Sequence, residues 1–294
     1  MILNFVRFAR PHTVIGTTLS ILALYAIAFS YSDQSDFHIS ELIITLGSCL
    51  AANIYIVGLN QLTDIEIDRI NKPYLPLASG AWTIQRGRTI IVVCLLASIV
   101  LAIFIGKWLL VTVLSSLALG TAYSLPPFRL KRFYFWAAFC ILAVRGFIVN
   151  IFLFLNFNWI INGSDDLPFV ILLLTGVIFI YSIAIAWFKD LPDDEGDKKF
   201  NISTLTVEMG RKKIFKLGMI MLSLAIMFTI GFAPLMADSI NQPLFIGGHA
   251  IILIFFWIMA KRVDLNSKTS IAFFYQCVWG MYFAEYALFA FSVY

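Results

Sequence analysis

Residues 41–68 read ELIITLGSCLAANIYIVGLNQLTDIEID. Positions 41–59 are almost entirely apolar, and a run of about twenty such residues is what a helix needs to cross a bilayer. Asn60, Asp64 and Asp68 follow, so oxygen-bearing side chains stand at the end of a predicted membrane helix. Carboxylates beside hydrocarbon are costly and usually functional. This one stretch therefore predicts both a membrane helix and a polar site at its end.

The same kind of apolar run recurs along the whole chain. Hydrophobic residues make up 61% of the sequence, charged residues only 13%, and the mean hydropathy is +0.89. A soluble domain carries about twice that share of charge. The pattern predicts an all-α, polytopic membrane helix bundle of about nine transmembrane helices around a central cavity, in a single domain over residues 1–294. The predicted spans are 14–31, 41–59, 89–106, 108–125, 134–156, 168–188, 214–233, 243–260 and 270–293.

The Lys and Arg residues give the predicted orientation. Of the 21 Lys and Arg, all but Lys107 and Arg145 fall on one side of the membrane if these spans are counted. Cytoplasmic loops carry the excess of positive charge. The N-terminus and the polar motif are therefore predicted to be cytoplasmic, with the C-terminus on the opposite side. The net charge of +4 reflects this topology, and we infer no binding of nucleic acid from it.

A second acidic motif follows another predicted span on the same side and reads KDLPDDEGD over residues 189–197. In the first motif, Asn60, Asp64 and Asp68 are spaced i, i+4, i+8, which places them on one face of a helix. We expect that helix to continue through the motif to Arg69, with Glu66 off this face and solvated. The second motif repeats the i, i+4 spacing at positions 193 and 197.

Two sets of carboxylates suggest Mg²⁺ holding a diphosphate, because Mg²⁺ prefers oxygen ligands and binds through a few carboxylates plus substrate phosphates. The predicted metal ligands are Asn60, Asp64, Asp68, Asp190, Asp193 and Asp197. The predicted catalytic residues among them are Asp64, Asp68, Asp193 and Asp197. The alternative is a pair of solvated acidic loops between basic ones. Two clusters on one side, each at the end of a span, favour the metal site.

Basic side chains near the two motifs fit a diphosphate, because Lys and Arg bind phosphate oxygens directly. They are Lys72, Lys131, Arg132, Lys189, Lys198 and Lys199. The alternative for each one is ordinary topology charge. Arg10 and His12, at the entrance of the first span, are further candidates for contact with substrate.

Arg145 lies within a predicted span, where a buried guanidinium needs an anionic partner or a water-filled cavity. One interpretation is a structural ion pair with Glu285, the only carboxylate inside the last span. The other is that Arg145 binds an anionic group on a substrate. Asn150 is an intramembrane amide that could line the same cavity, and His249 is expected to pack between helices.

Long strings of this sequence resemble the UbiA-type membrane prenyltransferases, in particular their homogentisate prenyltransferase branch. Gln61 stands where many members of the family have Asp. The resemblance covers nearly the whole chain and rests on residues 8–17 (FARPHTVIGT), 57–62 (VGLNQL), 71–80 (NKPYLPLASG), 121–132 (TAYSLPPFRLKR), 144–146 (VRG) and 274–279 (FYQCVW), besides the two acidic motifs.

This resemblance implies a UbiA-like fold and Mg²⁺-dependent transfer of a prenyl group from its diphosphate to homogentisate, with decarboxylation. Phytyl or geranylgeranyl is the expected group, and the product would feed tocopherol or prenylquinol biosynthesis. The resemblance also implies that Tyr123 and Ser124 lie near the diphosphate. Plant members carry a transit peptide, whereas Arg10-Pro-His lies at the very start here, so we expect a bacterial, cyanobacterial-type membrane protein.

Two alternatives to this function remain open at this point. The first is a related transferase with another acceptor, such as 4-hydroxybenzoate, a naphthoate or a chlorophyllide. The second is a membrane transporter, which would also carry charges near the membrane. A transporter predicts charged residues at mid-membrane in several helices, whereas here the acidic residues cluster at one face.

Overall fold

The computed structural model describes residues 2–32, 36–192 and 205–293. Its α-helices, numbered in chain order, are α1 (Ile2–Ala9), α2 (Pro11–Ser30), α3 (Ile39–Thr63), α4 (Ile65–Asn71), α5 (Ile84–Ile105), α6 (Lys107–Ser124), α7 (Tyr134–Leu142), α8 (Val149–Asn162), α9 (Phe169–Asp190), α10 (Leu205–Met209), α11 (Arg211–Phe232), α12 (Gln242–Lys261) and α13 (Lys268–Ser292). Leu130–Arg132 and Ala233–Met236 form 3₁₀ turns, and Ala143–Ile148 is π-helical. The prediction of an all-α membrane bundle is confirmed.

Seven helical segments of the described residues are long and apolar enough to cross a membrane. They are Pro11–Ser30, Ile39–Thr63, Ile84–Ile105, Tyr134–Asn162, Phe169–Asp190, Arg211–Met236 and Gln242–Lys261. The remaining two predicted spans coincide with α6 and α13, which carry more polar residues. A helix therefore lies at every predicted span, while the count of nine is not confirmed by length and hydropathy.

The division between the third and fourth predicted spans lies where the sequence places it. α5 ends at Ile105, α6 begins at Lys107, and Gly106 between them has φ +134°. Only glycine adopts such a backbone conformation without a steric cost. A single glycine therefore reverses the chain between two long helices.

The chain forms two compact units. In the first, formed by Met1–Cys140 and Phe152–Asp166, helix α3 packs against α1, α2, α5 and α6. The hydroxyl of Ser48 on α3 donates a hydrogen bond of 2.8 Å to the carbonyl of Ser98 on α5, inside the buried interface. Such polar contacts stabilise helix pairs in membranes. Helix α3 is thus the central helix of this unit, and its end carries the first acidic motif.

In the second unit, formed by Ile141–Ile151 and Leu167–Tyr294, helix α9 packs against α11, α13 and the π-helical turn. Helix α12 packs against α11 and α13. Bulky side chains, including Tyr181, Phe188 and Phe274, are fully buried along these contacts. The second unit thus has its own apolar core, built around α9.

The expected continuous helix through the first acidic motif is wrong. Helix α3 ends at Thr63, α4 starts at Ile65, and Asp64 between them has φ −120° and ψ 19°. The amide of Asp64 bonds to the carbonyl of Gln61, three residues back, which tightens the last turn of α3. The side chain of Asp64 meanwhile binds Lys131. The helix thus breaks at a residue whose side-chain partner, Lys131, lies 67 residues away. The local sequence pattern contains no sign of that partner.

Candidate active site

Two basic side chains, those of Lys131 and Arg129, surround the carboxylate of Asp64 in the first unit. Oδ1 of Asp64 accepts a hydrogen bond of 2.6 Å from Nζ of Lys131 and lies 3.6 Å from Nη2 of Arg129. Nζ of Lys131 also donates to Oγ1 of Thr63 at 2.8 Å. Burial lowers the pKa of Lys131, and the hydrogen bond and charge of Asp64 oppose that change. The cluster therefore holds two cations beside one carboxylate at the end of a membrane helix.

Asp68 lies one turn further along and is almost completely buried. Its Oδ1 is 3.8 Å from Nζ of Lys72, while its buried Oδ2 has no hydrogen-bond partner among the described residues. Burial raises the pKa of Asp68 above its ordinary value, and the charges of Lys72 and Arg10 oppose that rise. A buried carboxylate oxygen without a partner is costly. Oδ2 is therefore a suitable ligand position for a cation.

Glu66 behaves differently from the two aspartates of the same motif. It is exposed and forms an ion pair of 2.9 Å with Arg69 on its own helix. The expectation that Glu66 is solvated is therefore confirmed, even though the helix is broken. Asn60 is half-buried one turn before Asp64. In this motif, Asn60, Asp64 and Asp68 are thus at least half-buried, whereas Glu66 is exposed to solvent.

Gln61 has a structural role that its place in the acidic motif does not suggest. The side chain is 1% exposed, and its Nε2 donates to the carbonyl of Phe8 at 2.7 Å. This bond fastens the end of α1 to α3. Within the acidic motif, this chain therefore has an amide that binds the neighbouring helix.

Two arginines of the first unit have unusual backbones. Arg10 has φ +55° and Arg129 has φ +38°, a region that costs an L-residue roughly 1–3 kcal/mol and is typical of functional sites. Arg10, a predicted substrate contact, lies near Asp68. Arg129 was not predicted, because in a loop with Lys131 and Arg132 no local signal distinguishes it.

The remaining predicted contacts of the first unit occupy different environments. Tyr123 and Ser124 end α6, and the buried Oγ of Ser124 has no hydrogen-bond partner among the described residues. His12 is exposed in the first turn of α2, and Arg132 is exposed after the cluster. Lys131 is therefore the predicted cation that most directly contacts the acidic motif.

The second acidic motif is only partly described. Lys189 is exposed and Asp190 is half-buried at the end of α9, whereas Asp193, Asp197, Lys198 and Lys199 lie outside the described residues. Within residues 2–32, 36–192 and 205–293, no group of three His, Cys, Asp or Glu side chains is arranged to hold a metal ion. The two-sided metal site therefore stays a prediction.

Arg145 does not pair with Glu285, so that interpretation is wrong. The oxygens of Glu285 are bound by Tyr181 and His249, at 3.1 and 3.0 Å, inside the second unit. The guanidinium carbon of Arg145 instead lies 4.8 Å from the ring centroid of Trp279. No described carboxylate forms an ion pair with Arg145. A cation over an aromatic face, without a described anion, remains available to an anionic ligand.

The sequence matches known proteins over nearly its whole length. The profile of the UbiA prenyltransferase family matches residues 19–286. A homogentisate phytyltransferase of Synechocystis is 45% identical over 97% of this chain and 94% of its own length. A chloroplastic homogentisate phytyltransferase of Arabidopsis thaliana is 41% identical over 98% of this chain and 74% of its own length.

More distant relatives differ in the tail or acceptor that their names give. A homogentisate solanesyltransferase of Arabidopsis thaliana is 35% identical over 97% of this chain and 75% of its own. A coumarin 8-geranyltransferase of Citrus limon is 30% identical over 96% of this chain and 70% of its own. The relatives thus share prenyl transfer and vary in substrate.

Solved structures share the fold. A structure of digeranylgeranylglyceryl phosphate synthase has a TM-score of 0.71 at 20% identity, covering 99% of this chain and 98% of that one. A UbiA homologue from Archaeoglobus fulgidus bound to GPP and Mg²⁺ has a TM-score of 0.66 at 20% identity, covering 97% and 99%. The likeness in fold covers nearly the whole length of this chain.

Proposed function

This chain belongs to the UbiA prenyltransferase family, and on that premise we propose that it transfers a phytyl or geranylgeranyl group from the diphosphate to homogentisate, with decarboxylation. The observation that carries the proposal is the acidic site of the first unit. There, Asp64 binds Lys131 and Asp68 keeps a buried oxygen without a described partner. Membership of an enzyme family also favours prenyl transfer over the transporter.

The residues of this site fit a divalent cation, which we propose is Mg²⁺. The unpartnered Oδ2 of Asp68 offers a carboxylate oxygen, and oxygen ligands are what Mg²⁺ requires. When bound, Mg²⁺ would neutralise charge on the diphosphate leaving group. The residues proposed to hold it are Asn60, Asp64, Asp68, Asp190, Asp193 and Asp197. Of these, Asp64 and Asp68 have the strongest structural support.

The cations of the first unit are proposed to bind the diphosphate. Lys131 and Arg129 already converge on one carboxylate, and an Arg or Lys donates equally well to phosphate oxygens. Binding there favours cleavage of the allylic C–O bond, because charge develops on the departing oxygen. Arg10, Lys72, Tyr123 and Ser124 are proposed to surround the same group, while His12, Arg132, Lys189 and Lys198 remain candidate contacts.

Arg145 is proposed to bind the carboxylate of the acceptor. The electron-rich ring attacks the allylic carbon, a C–C bond forms, and a ring proton leaves. Loss of CO₂ from the acetate arm then leaves its methylene carbon to take up one proton. A guanidinium that holds the carboxylate orients the ring before this attack, which is how positioning lowers a barrier.

The protein is an integral membrane protein, and we propose that its N-terminus and acidic site are cytoplasmic. The bias of Lys and Arg toward one side supports this orientation. A bacterial, cyanobacterial-type origin is proposed as well, because a Synechocystis relative is 45% identical over 97% of this chain.

The purified protein, reconstituted in lipid nanodiscs, tests the function directly. Radiolabelled homogentisate is incubated with Mg²⁺ and with phytyl, geranylgeranyl or solanesyl diphosphate, and the products are identified by mass. We expect a prenylated, decarboxylated quinol and release of diphosphate, both abolished by EDTA and restored by Mg²⁺. Parallel reactions use 4-hydroxybenzoate, a naphthoate and a coumarin as acceptors. Turnover of one of these, without turnover of homogentisate, would overturn the proposed acceptor, and full activity after chelation would overturn the proposed metal.

A further inference from the structure

The helix that carries Arg145 is interrupted by a π-helical turn. Residues Ala143–Ile148 form this turn, and the amide of Val149 bonds to the carbonyl of Val144, five residues back. A π-turn inserts one extra residue into an α-helix, and such turns are rare and frequent at functional sites. The turn therefore sets the direction in which Arg145 leaves the helix.

The side chain of Asn150 holds this turn from one side. Its Nδ2 donates to the carbonyl of Gly146 at 2.8 Å and to that of Arg145 at 3.1 Å. The Asn150 side chain is fully buried, and its bond to Gly146 forms away from solvent. One amide group thus binds two successive carbonyls of the turn, including that of Arg145 itself.

Tyr286 fixes the orientation of that amide. Its hydroxyl donates to Oδ1 of Asn150 at 2.7 Å, and its side chain is 1% exposed. A donor at Oδ1 leaves only Nδ2 to face the carbonyls. The hydroxyl of Tyr286 therefore selects the amide orientation that supports the turn.

Gly146 allows the turn to pack closely against α9. A Cβ atom at this position would lie 2.8 Å from Cδ2 of Phe179 on α9, closer than real Cβ contacts allow. The ring of Phe147 packs at 5.2 Å from that of Phe179. Any larger residue at position 146 therefore displaces the turn from α9.

Helix α13 connects the support of the turn to the partner of Arg145. Trp279, whose ring faces the guanidinium of Arg145, and Tyr286 are seven residues apart, on one face of that helix. Helix α13 thus supplies both the Trp279 ring that contacts Arg145 and the Tyr286 hydroxyl that donates to Asn150.

We infer that Asn150 and Tyr286 are positioning residues that aim Arg145 and thereby set the preference for an acceptor that carries a carboxylate. The inference rests on the proposed role of Arg145. Without the two hydrogen bonds from Asn150, the π-turn is no longer more stable than regular α-helix at these residues. If the π-turn becomes regular α-helix, the segment before the turn rotates relative to the segment after it by about 100°, the angle between successive residues of an α-helix. Arg145 then points away from the acceptor.

The test compares two Tyr→Phe variants that each remove one buried hydroxyl. Tyr286→Phe removes the donor to Asn150, and Tyr181→Phe, the matched control, removes the donor to Glu285. We expect Tyr286→Phe to raise the KM for homogentisate roughly two- to tenfold, the factor for one neutral hydrogen bond, with the KM for the prenyl diphosphate unchanged. Tyr181→Phe lowers thermal stability and leaves the ratio of the two KM values at the wild-type value. Equal changes in both KM values for Tyr286→Phe would overturn the inference.

A double-mutant cycle separates positioning from a general packing effect. In an Arg145→Met background, Tyr286→Phe has no further effect on kcat/KM for homogentisate if it acts through Arg145, because coupled residues are not additive. Additive losses would overturn the inference. If Tyr286→Phe does not fold, Gly146→Ala perturbs the same turn from the α9 side, and the same cycle is measured with it.

The wild-type reaction distinguishes failure of this inference from failure of the proposed function. No transfer to homogentisate by the wild type overturns the proposed acceptor alone, and the cycle is then measured with the anionic acceptor that the wild type uses. Transfer by the wild type together with an unchanged KM ratio in Tyr286→Phe overturns the positioning role and leaves the proposed function standing.

Discussion

Nε2 of His249 lies 3.0 Å from Oε2 of Glu285, and both side chains are fully buried. Nδ1 of His249 is 2.7 Å from the carbonyl oxygen of Phe245, and this nitrogen must carry a proton because a carbonyl only accepts. One further proton therefore lies between Nε2 and Oε2. Whether it resides on the imidazole or on the carboxyl group, the pair is neutral overall, which is why it is compatible with an apolar surrounding.

Glu285→Leu is expected to destabilise the protein strongly, by about 3–5 kcal/mol, because it leaves His249 and Tyr181 without their partner. Glu285→Gln is the matched control. Its amide can donate to Nε2 of His249 and accept from Tyr181, so the loss should stay below about 1.5 kcal/mol. Thermal unfolding in one detergent measures both. Equal losses for the two variants would contradict this account of the pair.

Asp64→Ala and Asp68→Ala are each expected to lower kcat roughly a hundred- to a thousandfold, the range for removal of one electrostatic contact at a transition state. Glu66→Ala is the control within the same motif, because Glu66 is exposed and pairs only with Arg69 among the described side chains. Steady-state kinetics at saturating Mg²⁺, on protein shown to insert into membranes, provide the measurement. Near-wild-type rates in either Asp variant would remove that residue from the site.

Asp193→Ala and Asp197→Ala should lose activity to a similar extent, because the sequence predicts that both motifs bind the same diphosphate. Asp194→Ala, a neighbouring acid outside the i, i+4 pair, is the control. Turnover and the Mg²⁺ concentration for half-maximal rate are measured for the three variants. If Asp193 and Asp197 tolerate the change as well as Asp194 does, one motif alone holds the metal.

Arg145→Lys is expected to raise the KM for homogentisate roughly ten- to a hundredfold, because a charged hydrogen bond is lost. The KM for the prenyl diphosphate should change little. Arg69→Lys, at an exposed arginine paired with Glu66, is the matched control and should leave both constants unchanged. A stable Arg145→Lys protein with the wild-type KM for homogentisate would end the acceptor-binding role.

Asp165→Asn tests an ion pair on a loop of the first unit. Asp165 accepts hydrogen bonds from Nζ of Lys107 at 2.7 Å and from Nε1 of Trp108 at 2.5 Å, and these bonds lower its pKa below the ordinary value. A lowered folded-state pKa stabilises the protein above the ordinary Asp range, and that contribution is lost as the pH falls through the folded-state pKa. The melting temperature of the wild type should therefore exceed that of Asp165→Asn at pH 7, and the difference should shrink as the pH falls below the ordinary Asp range. A difference independent of pH would contradict this.

The membrane helices could be predicted because their signal is local. A segment in hydrocarbon must satisfy its own backbone hydrogen bonds, so a long apolar run there forms a helix. Gly106 marked the turn between two such helices for a similar reason, since its φ of +134° is accessible to glycine. The acidic motif was visible because carboxylates at the end of an apolar run are rare.

The partners of the charged residues could not be predicted in the same way. The interpretation of Arg145 and Glu285 as a pair was reasonable from composition, since each was the only charge of its sign nearby in its span. In the folded protein, Glu285 is instead hydrogen-bonded to His249 and Tyr181. Which of several polar groups meet depends on how helices pack, and the sequence pattern of a single helix does not encode that.

The sequence by itself therefore determined the family, the helical membrane architecture and the acidic end of α3, because each follows from the order of residues within one segment. Only the tertiary structure decided the break at Asp64, the capture of that carboxylate by Lys131 and Arg129, and the π-turn under Arg145. Each of these involves residues that are distant along the chain. Their geometry is fixed when separate helices pack, and a hydrogen bond between them exists only once that packing is complete.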